Sequence, residues 1–273
     1  AIIRESIDDM VVDWLAAGLD PKKSTLFIQS RVPQHAELHL LLSMITTLSW
    51  LERNPTYKEQ LREQTTRDLH TYGFLGYPVL QAADILMYDA AMVPVGIDQV
   101  PHLELTREIA RRFNFLYRET LSIPEAYLTE TPKLLGTDNR KMSKSYGNSI
   151  LLSDTAEAVW EKVRPMVTDP ARQRRTDKGN PEVCNVFSYH KIFSDEATVA
   201  KVDHGCRTAG IGCIECKRWM FEGMEKVLAP VRGERRRIVE SGVSVRDILA
   251  EGTHRAAQVA EAKMTEVRDA VRI

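Results

Sequence analysis

Met92-Val93-Pro94-Val95-Gly96-Ile97-Asp98-Gln99 reads as a short strand ending at a glycine, and from Gln99 to Asn114 the chain becomes amphipathic with a helical period. Within that helix Glu108 and Arg112 stand in the favourable order for an i,i+4 pair. Upstream, Thr25-Leu26-Phe27-Ile28-Gln29 is a second apolar run of strand type. Residues 34–52 return to helical spacing, with Leu38, Leu41, Leu42, Ile45 and Leu48 forming a broad apolar face. Nearer the start, Ile3, Ile7, Met10, Val11, Trp14 and Leu15 recur at helical spacing, and Gly18 is a natural helix stop before Asp20-Pro21. Strand alternating with helix is the pattern of a doubly wound parallel sheet, a Rossmann-like α/β fold. Ligands of such sheets sit at the carboxyl ends of strands, the position of Gly96 to Gln99.

After residue 152 the character changes. Asp154 with Glu157 three residues on marks a helix start, and helical segments without a strand pattern follow to the end. The expected organisation is an α/β domain over 1–152 and an all-helical domain over 153–273. The charge balance, 37 Lys and Arg against 38 Asp and Glu, leaves a polyanionic partner to be met by local basic patches alone. Arg172, Arg174, Arg175 and the run Arg235-Arg236-Arg237 are candidates, although arginine runs on helices are commonly solvated faces. No apolar run is long enough to span a bilayer and no signal peptide is visible, so a cytoplasmic protein without membrane contact is expected.

Three groups of residues carry chemistry. The string Lys141-Met142-Ser143-Lys144-Ser145 follows Gly136-Thr137-Asp138-Asn139-Arg140 and precedes Gly147-Asn148. It reads either as a solvated lysine turn or as a loop that delivers two ammonium groups to a polyphosphate, where charge develops on phosphate oxygens. In the run Tyr77-Pro78-Val79-Leu80-Gln81-Ala82-Ala83-Asp84-Ile85-Leu86, Pro78 suits a first helical turn, and Tyr77, Gln81, Asp84 and Tyr88 then share one face. Asp84 either points at water or is buried with a partner. Cys184, Cys206, Cys213 and Cys216 are the only cysteines and fall in one window of the helical part. They read as scattered buried thiols, as a tetrahedral zinc site, or as ligands of a [4Fe–4S] cluster.

The lysine string matches the Lys-Met-Ser-Lys-Ser signature of class I aminoacyl-tRNA synthetases. The run Tyr77 to Asp84, with Val93-Pro94-Val95-Gly96-Ile97-Asp98-Gln99 and His102-Leu103-Glu104-Leu105-Thr106-Arg107, resembles the bacterial tryptophanyl-tRNA synthetases. The likeness covers nearly the whole chain, including Ser24–Val32 and Arg175–Phe187. It implies a tryptophan–tRNA ligase that makes tryptophanyl-adenylate from tryptophan and ATP and transfers it to tRNA(Trp). By the same resemblance the Asp84 carboxylate accepts the indole N–H, Tyr77, Gln81 and Gln99 line the amino-acid site, and Val95 packs on the indole ring. Gly96 and Asp98 approach the ATP ribose, Met142 reaches the adenine through its main chain, and Ser143 belongs to the same ATP-binding loop. Lys141 and Lys144 hold the phosphates as the catalytic cations, and Mg²⁺ accompanies ATP.

The resemblance further implies a homodimer, with apolar helix faces around 34–52 and 80–92 as the expected interface. A subset of the family carries a [4Fe–4S] cluster on a similar four-cysteine pattern, whose first interval is one residue longer than here; zinc is the alternative. The second class I signature, His-Ile-Gly-His or a Thr-x-Gly-Asn relative, is not found. Gln34-His35-Ala36-Glu37-Leu38-His39 lacks its glycine, and the chain opens at Ala1 inside a helical pattern. The expectation is therefore an incomplete sheet, with the N-terminal signature segment missing. The other readings are a tyrosyl-tRNA synthetase, which shares fold and lysine loop, and a non-catalytic RNA-binding or redox-sensing relative.

Overall fold

The computed structural model describes residues 2–63, 69–128, 134–142 and 146–273. Two compact units form, each from two stretches of chain: 1–20 with 131–245, and 21–130 with 246–273. The sequence reading draws a single line after residue 152. Hydrophobic pattern along a chain does not reveal that a terminal helix returns to an early segment, so the discontinuous division was out of its reach.

In the unit of residues 21–130 and 246–273, helices α2 (Gln34–Ile45), α3 (Leu48–Arg53), α4 (Pro55–Glu63) and α5 (Tyr72–Leu86) precede strand β1 (Met92–Val95). Helix α6 (Val100–Leu116) then crosses over to strand β2 (Glu125–Leu128), which pairs with β1 in parallel, Met92 opposite Glu125 and Val95 opposite Leu128. Parallel neighbours require such a crossover, so the βαβ unit is the expected one. Among the described residues the sheet has these two strands. Leu38, Leu42, Val79, Ala82, Ala83, Leu86, Ile109, Ala110 and Phe113 form the core between α2, α5 and α6. Ala256, Ala260, Met264 and Val267 add one face of the last helix of the chain (Val245–Val271).

Four local expectations are corrected. Residues 25–28 form no strand, and Gln29–Arg31 is a 3-10 turn; the Ile28 amide instead donates to Thr253 Oγ1 at 3.3 Å. The helix expected over 34–52 breaks at Thr46 and Thr47, both extended, with Thr46 Oγ1 donating back to the Leu42 carbonyl. Helix α5 starts at Tyr72, six residues before Pro78, and is capped by Thr71, whose Oγ1 accepts from the Phe74 amide, so Pro78 lies inside the helix. Glu108 pairs with Arg111 at 2.5 Å, because Arg112 stacks over the Trp50 ring, 5.5 Å from its centroid.

The other unit is helical, as expected beyond residue 152. Its helices are α1 (Ile2–Ala16), α7 (Ala156–Val163), α8 (Asn185–Phe193), α9 (Glu196–Arg207) and α10 (Cys213–Glu240). Gly18, at φ 102°, closes α1: its amide bonds the Leu15 carbonyl and the Leu19 amide bonds Trp14, a Schellman end. Helix α7 is capped one residue later than Asp154, by Thr155 Oγ1; Asp154 accepts instead from the Leu151 amide and Lys162. Val159, Val163, Val186, Tyr189, Met220 and Met224 form this unit's core. No helix among the described residues is long and apolar enough to cross a membrane.

Gly252 makes the tightest backbone approach in the fold: a Cβ there would sit 1.9 Å from the Leu26 carbonyl oxygen. Alanine gains roughly 1 kcal/mol of helix propensity over glycine, but overpacking costs about 1–3 kcal/mol. Gly252→Ala is therefore expected to lower the urea midpoint. Gly233→Ala in α10, where nothing lies within 4 Å of the new methyl, is expected to raise it.

Candidate functional site

Helix α5 buries Val79, Ala82, Ala83 and Leu86 and leaves Tyr77, Gln81 and Asp84 half-buried on another face. The Asp84 side chain is 36% exposed, so it is neither sealed from water nor simply solvated. Its carboxylate is held by donors: Gln29 Nε2 lies 2.7 Å from both oxygens, and His35 Nδ1 lies 2.6 Å from Oδ1. The His35 Nε2 faces the Tyr88 hydroxyl at 2.8 Å. Burial, together with the Asp84 charge, pushes the Tyr88 phenol up to about 12, so it stays a hydroxyl.

A second relay ends on Tyr77. Asn54 Oδ1 accepts from the Thr56 amide at 3.0 Å, which turns Nδ2 toward His102 Nδ1 at 3.2 Å. His102 Nε2 then meets the Tyr77 hydroxyl at 3.1 Å. Burial lowers the pKa of His102, so the ring is neutral and carries its proton on Nε2. Sequence reading named Tyr77 and Asp84 but missed these supports. Gln29 stood in an expected strand, and His35 was weighed only as part of a phosphate signature.

Gly96, Asp98 and Gln99 follow directly on the carboxyl end of β1 in a 3-10 turn, with the Gln99 amide bonded to the Gly96 carbonyl. A Cβ on Gly96 would come within 2.8 Å of Asp98 Oδ1, the end of an exposed side chain, so glycine keeps the backbone open beside that carboxylate. Gln99 Nε2 donates to Asp98 Oδ2 at 3.2 Å, and Val95, the last strand residue, is half-buried. Open backbone and a carboxylate at a strand's carboxyl end suit a polar, hydroxyl-bearing ligand.

In the other unit the lysine-bearing segment begins from a tight turn. Leu135 bridges Lys141, and Asn139 turns the chain at φ 66°. Asp138 accepts from Asn148 Nδ2, the Arg140 amide and the Arg140 guanidinium, and these bonds, Asn148's first, hold its carboxyl down at about 2. Asn185 Nδ2 and the Tyr189 hydroxyl donate to the carbonyls of Gly136 and Leu135 and tie the turn to α8. The Lys141 side chain is exposed and Met142 half-buried. Ser143 and Lys144, named from the sequence, lie outside the described residues.

All four cysteines line one cavity of this unit, with Thr168, Asp169, Arg172 and Ile211. Cys184 caps α8, Cys206 closes α9, and Cys213 and Cys216 occupy the first turn of α10. Burial pushes Cys216 up to about 12, reinforced by the other three sulfurs, and raises Cys206 against the pull of Arg172. Arg172 is buried, with Nη1 3.8 Å from Cys206 Sγ and Nη2 on the Ile211 and Arg175 carbonyls. Its Nε has no partner among the described residues. Among those residues no three or more His, Cys, Asp or Glu side chains converge on a single ion. The other arginine candidates divide: Arg235 is engaged by Asp9 and Asp13 of α1, and Arg237 by Glu234.

Residues 2–229 match the family model described as tRNA synthetases class I (W and Y). The chain belongs to that family. This synthetase is 53% identical over 272 residues to the tryptophan–tRNA ligase of Thermotoga maritima, covering 99% of its own length and 83% of that relative. It is 43% identical to the tryptophan–tRNA ligase of Aquifex aeolicus, covering 86% of that protein. Among solved structures, tryptophanyl-tRNA synthetase from Campylobacter jejuni, complexed with ADP and tryptophan, superposes with a TM-score of 0.79 at 31% identity, over 97% of this chain and 82% of the other.

The carboxyl of Asp138 is lowered in the fold, so its contribution is complete above the unfolded carboxyl's range and is lost as pH falls from about 4 to about 2. Asp138→Asn is expected to lose stability near neutral pH. Its deficit against the parent should close on acidification, as read from urea midpoints across that window.

Proposed function

We propose that this chain is a tryptophan–tRNA ligase whose amino-acid pocket is built on Asp84. The tryptophan carboxylate attacks the α-phosphate of ATP and pyrophosphate leaves; a hydroxyl of the terminal ribose of tRNA(Trp) then attacks the carbonyl carbon of the adenylate, forming the ester and releasing AMP. No side-chain nucleophile takes part; positioning, Mg²⁺ and cations on the phosphates supply the rate. The observation that carries the pocket is the Asp84 carboxylate, held by Gln29 and His35 on the half-buried face that also presents Tyr77 and Gln81. Indole offers one donor and no acceptor, so a fixed carboxylate selects it and is left unpaired by phenylalanine. Val95 packs on the ring and Gln99 completes the amino-acid site. Gly96 and Asp98 meet the ATP ribose. Met142 and Ser143 contact ATP, and Lys141 and Lys144 hold its phosphates.

Residues 1–152 handle tryptophan and ATP, and the helical part from 153 onward takes the anticodon side of tRNA. The enzyme works as a homodimer in the cytoplasm. Within the stretches expected at the interface, Leu38, Leu42, Ala83 and Leu86 are buried in this unit's own core, so the apolar residues left for a partner are the exposed Leu40, Met44, Leu48 and Met92. The cysteine cavity fits a group bound by thiolates: a guanidinium is buried beside the sulfurs, and the amides of the α10 N-terminus point outward from its first turn. Four cysteines lining one cavity are the observation behind a [4Fe–4S] cluster, in which each iron takes one cysteine; zinc is the alternative. Its place in the helical part supports a structural or anticodon-side role.

Pyrophosphate exchange by the full-length protein is expected to depend on tryptophan; exchange driven by tyrosine, or none, overturns the assignment. Asp84→Asn is expected to raise the tryptophan KM about ten- to a hundredfold, the range for a bond to a charged acceptor, and to relax rejection of phenylalanine. Iron and acid-labile sulfide in equal amounts, about four each per chain after anaerobic purification, are expected for the cluster. Stoichiometric zinc without sulfide would exclude it.

A further inference from the structure

His35, which helps to hold the Asp84 carboxylate, is one of the most thoroughly buried polar side chains of its unit. It sits in the first turn of α2, its side chain 4% exposed, between the rings of Phe27 and Tyr88 at centroid distances of 5.9 and 5.4 Å. Phe27 and Tyr88 also contact each other edge to face at 5.7 Å. The imidazole plane is thus set by packing. Its protons follow from its partners: a carboxylate only accepts, so Nδ1 carries the hydrogen that points at Asp84 Oδ1. In the neutral ring Nε2 is then the acceptor, and the Tyr88 hydroxyl donates to it.

The carboxylate is filled unevenly. Oδ1 accepts from both His35 and Gln29, whereas Oδ2 accepts from Gln29 alone among the described residues. We infer that His35 is a positioning residue for substrate choice: backed by Tyr88, it occupies Oδ1 and so aims Oδ2 as the acceptor for the indole N–H. This rests on the reading of Asp84 as the indole acceptor. Without the imidazole the carboxylate is free to rotate about its terminal torsion and to take water, and the acceptor is no longer fixed before tryptophan arrives. Such supporting groups act by preorganisation, so their loss falls on the bond they aim and spares the rest of the pocket.

The test compares tryptophan with β-(benzothiophen-3-yl)alanine, which has the same shape with sulfur in place of the ring N–H. In pyrophosphate exchange by the full-length protein, the readout is the ratio of kcat/KM for the two amino acids. His35→Leu is expected to lower that preference for tryptophan about tenfold or more, chiefly through the tryptophan KM. His35→Asn, whose amide can place a donor where Nδ1 stands, is expected to restore most of it. Tyr88→Phe should lower the preference by a smaller factor. If His35→Leu slows both substrates in parallel with the preference intact, His35 is only structural and the inference fails. Should His35→Leu not fold, an unchanged preference in Tyr88→Phe overturns it. Asp84→Asn separates the two layers: loss of preference there with none in His35→Leu sinks this inference alone, whereas an unchanged preference in Asp84→Asn sinks the pocket beneath it.

Discussion

Two parallel strands cannot be joined by a tight turn, and that constraint organises the first unit. The return from Val95 to Glu125 has to pass over the sheet, and α6 supplies the passage. Once α6 is laid down, its buried face of Leu105, Ile109, Ala110 and Phe113 needs a partner, and α5 answers with Val79, Ala82, Ala83 and Leu86. With those positions turned to the core, Tyr77, Gln81 and Asp84 are left on the half-buried side by helical geometry alone. The same crossover sets Gly96 to Gln99 at the end of β1, where backbone stands open.

What holds a site of this kind is less visible in the chain than what composes it. Helix α1 with its Gly18 stop, β1, the amphipathic α6 and the helical character beyond residue 152 were legible, because each is written as a local period or a local stop. The strand over 25–29 was misread for the opposite reason. Its apolar run is real, but a strand needs a neighbour, and here the Ile28 amide went to Thr253 more than two hundred residues away. Strand β2 escaped notice, since Glu125-Ala126-Tyr127-Leu128 is exposed throughout and has no inward alternation. The break at Thr46-Thr47 and the early start of α5 follow from hydroxyls that bond nearby backbone, a choice that composition leaves open.

The candidate site divides along the same line. Asp84, Tyr77 and the four cysteines stood out as chemistry in unexpected surroundings. Gln29, His35 and Asn54 did not, because their importance lies in partners brought from elsewhere in the chain. Asp84 falls between the two readings of its sequence, water or burial with a partner: it is partly open and well supported, as befits an acceptor that a ligand must reach. Of the arginine run, Arg235 ties α10 to α1 through Asp9 and Asp13, partners that lie more than two hundred residues away and that a local reading does not reveal.

Arg172 has a consequence that reaches past the cavity it lines. A guanidinium does not surrender its proton at any physiological pH, so the space among Cys184, Cys206, Cys213 and Cys216 holds a permanent positive charge. Asp169 lines the same cavity and its carboxyl is lowered, chiefly by the Asn180 and Ala171 amides and in part by the Arg172 charge, so the guanidinium has a carboxylate near it. Drawing protons off the cysteines adds negative charge around that fixed cation, so the ionisation of four sulfurs and the packing of this helical unit are coupled through one arginine.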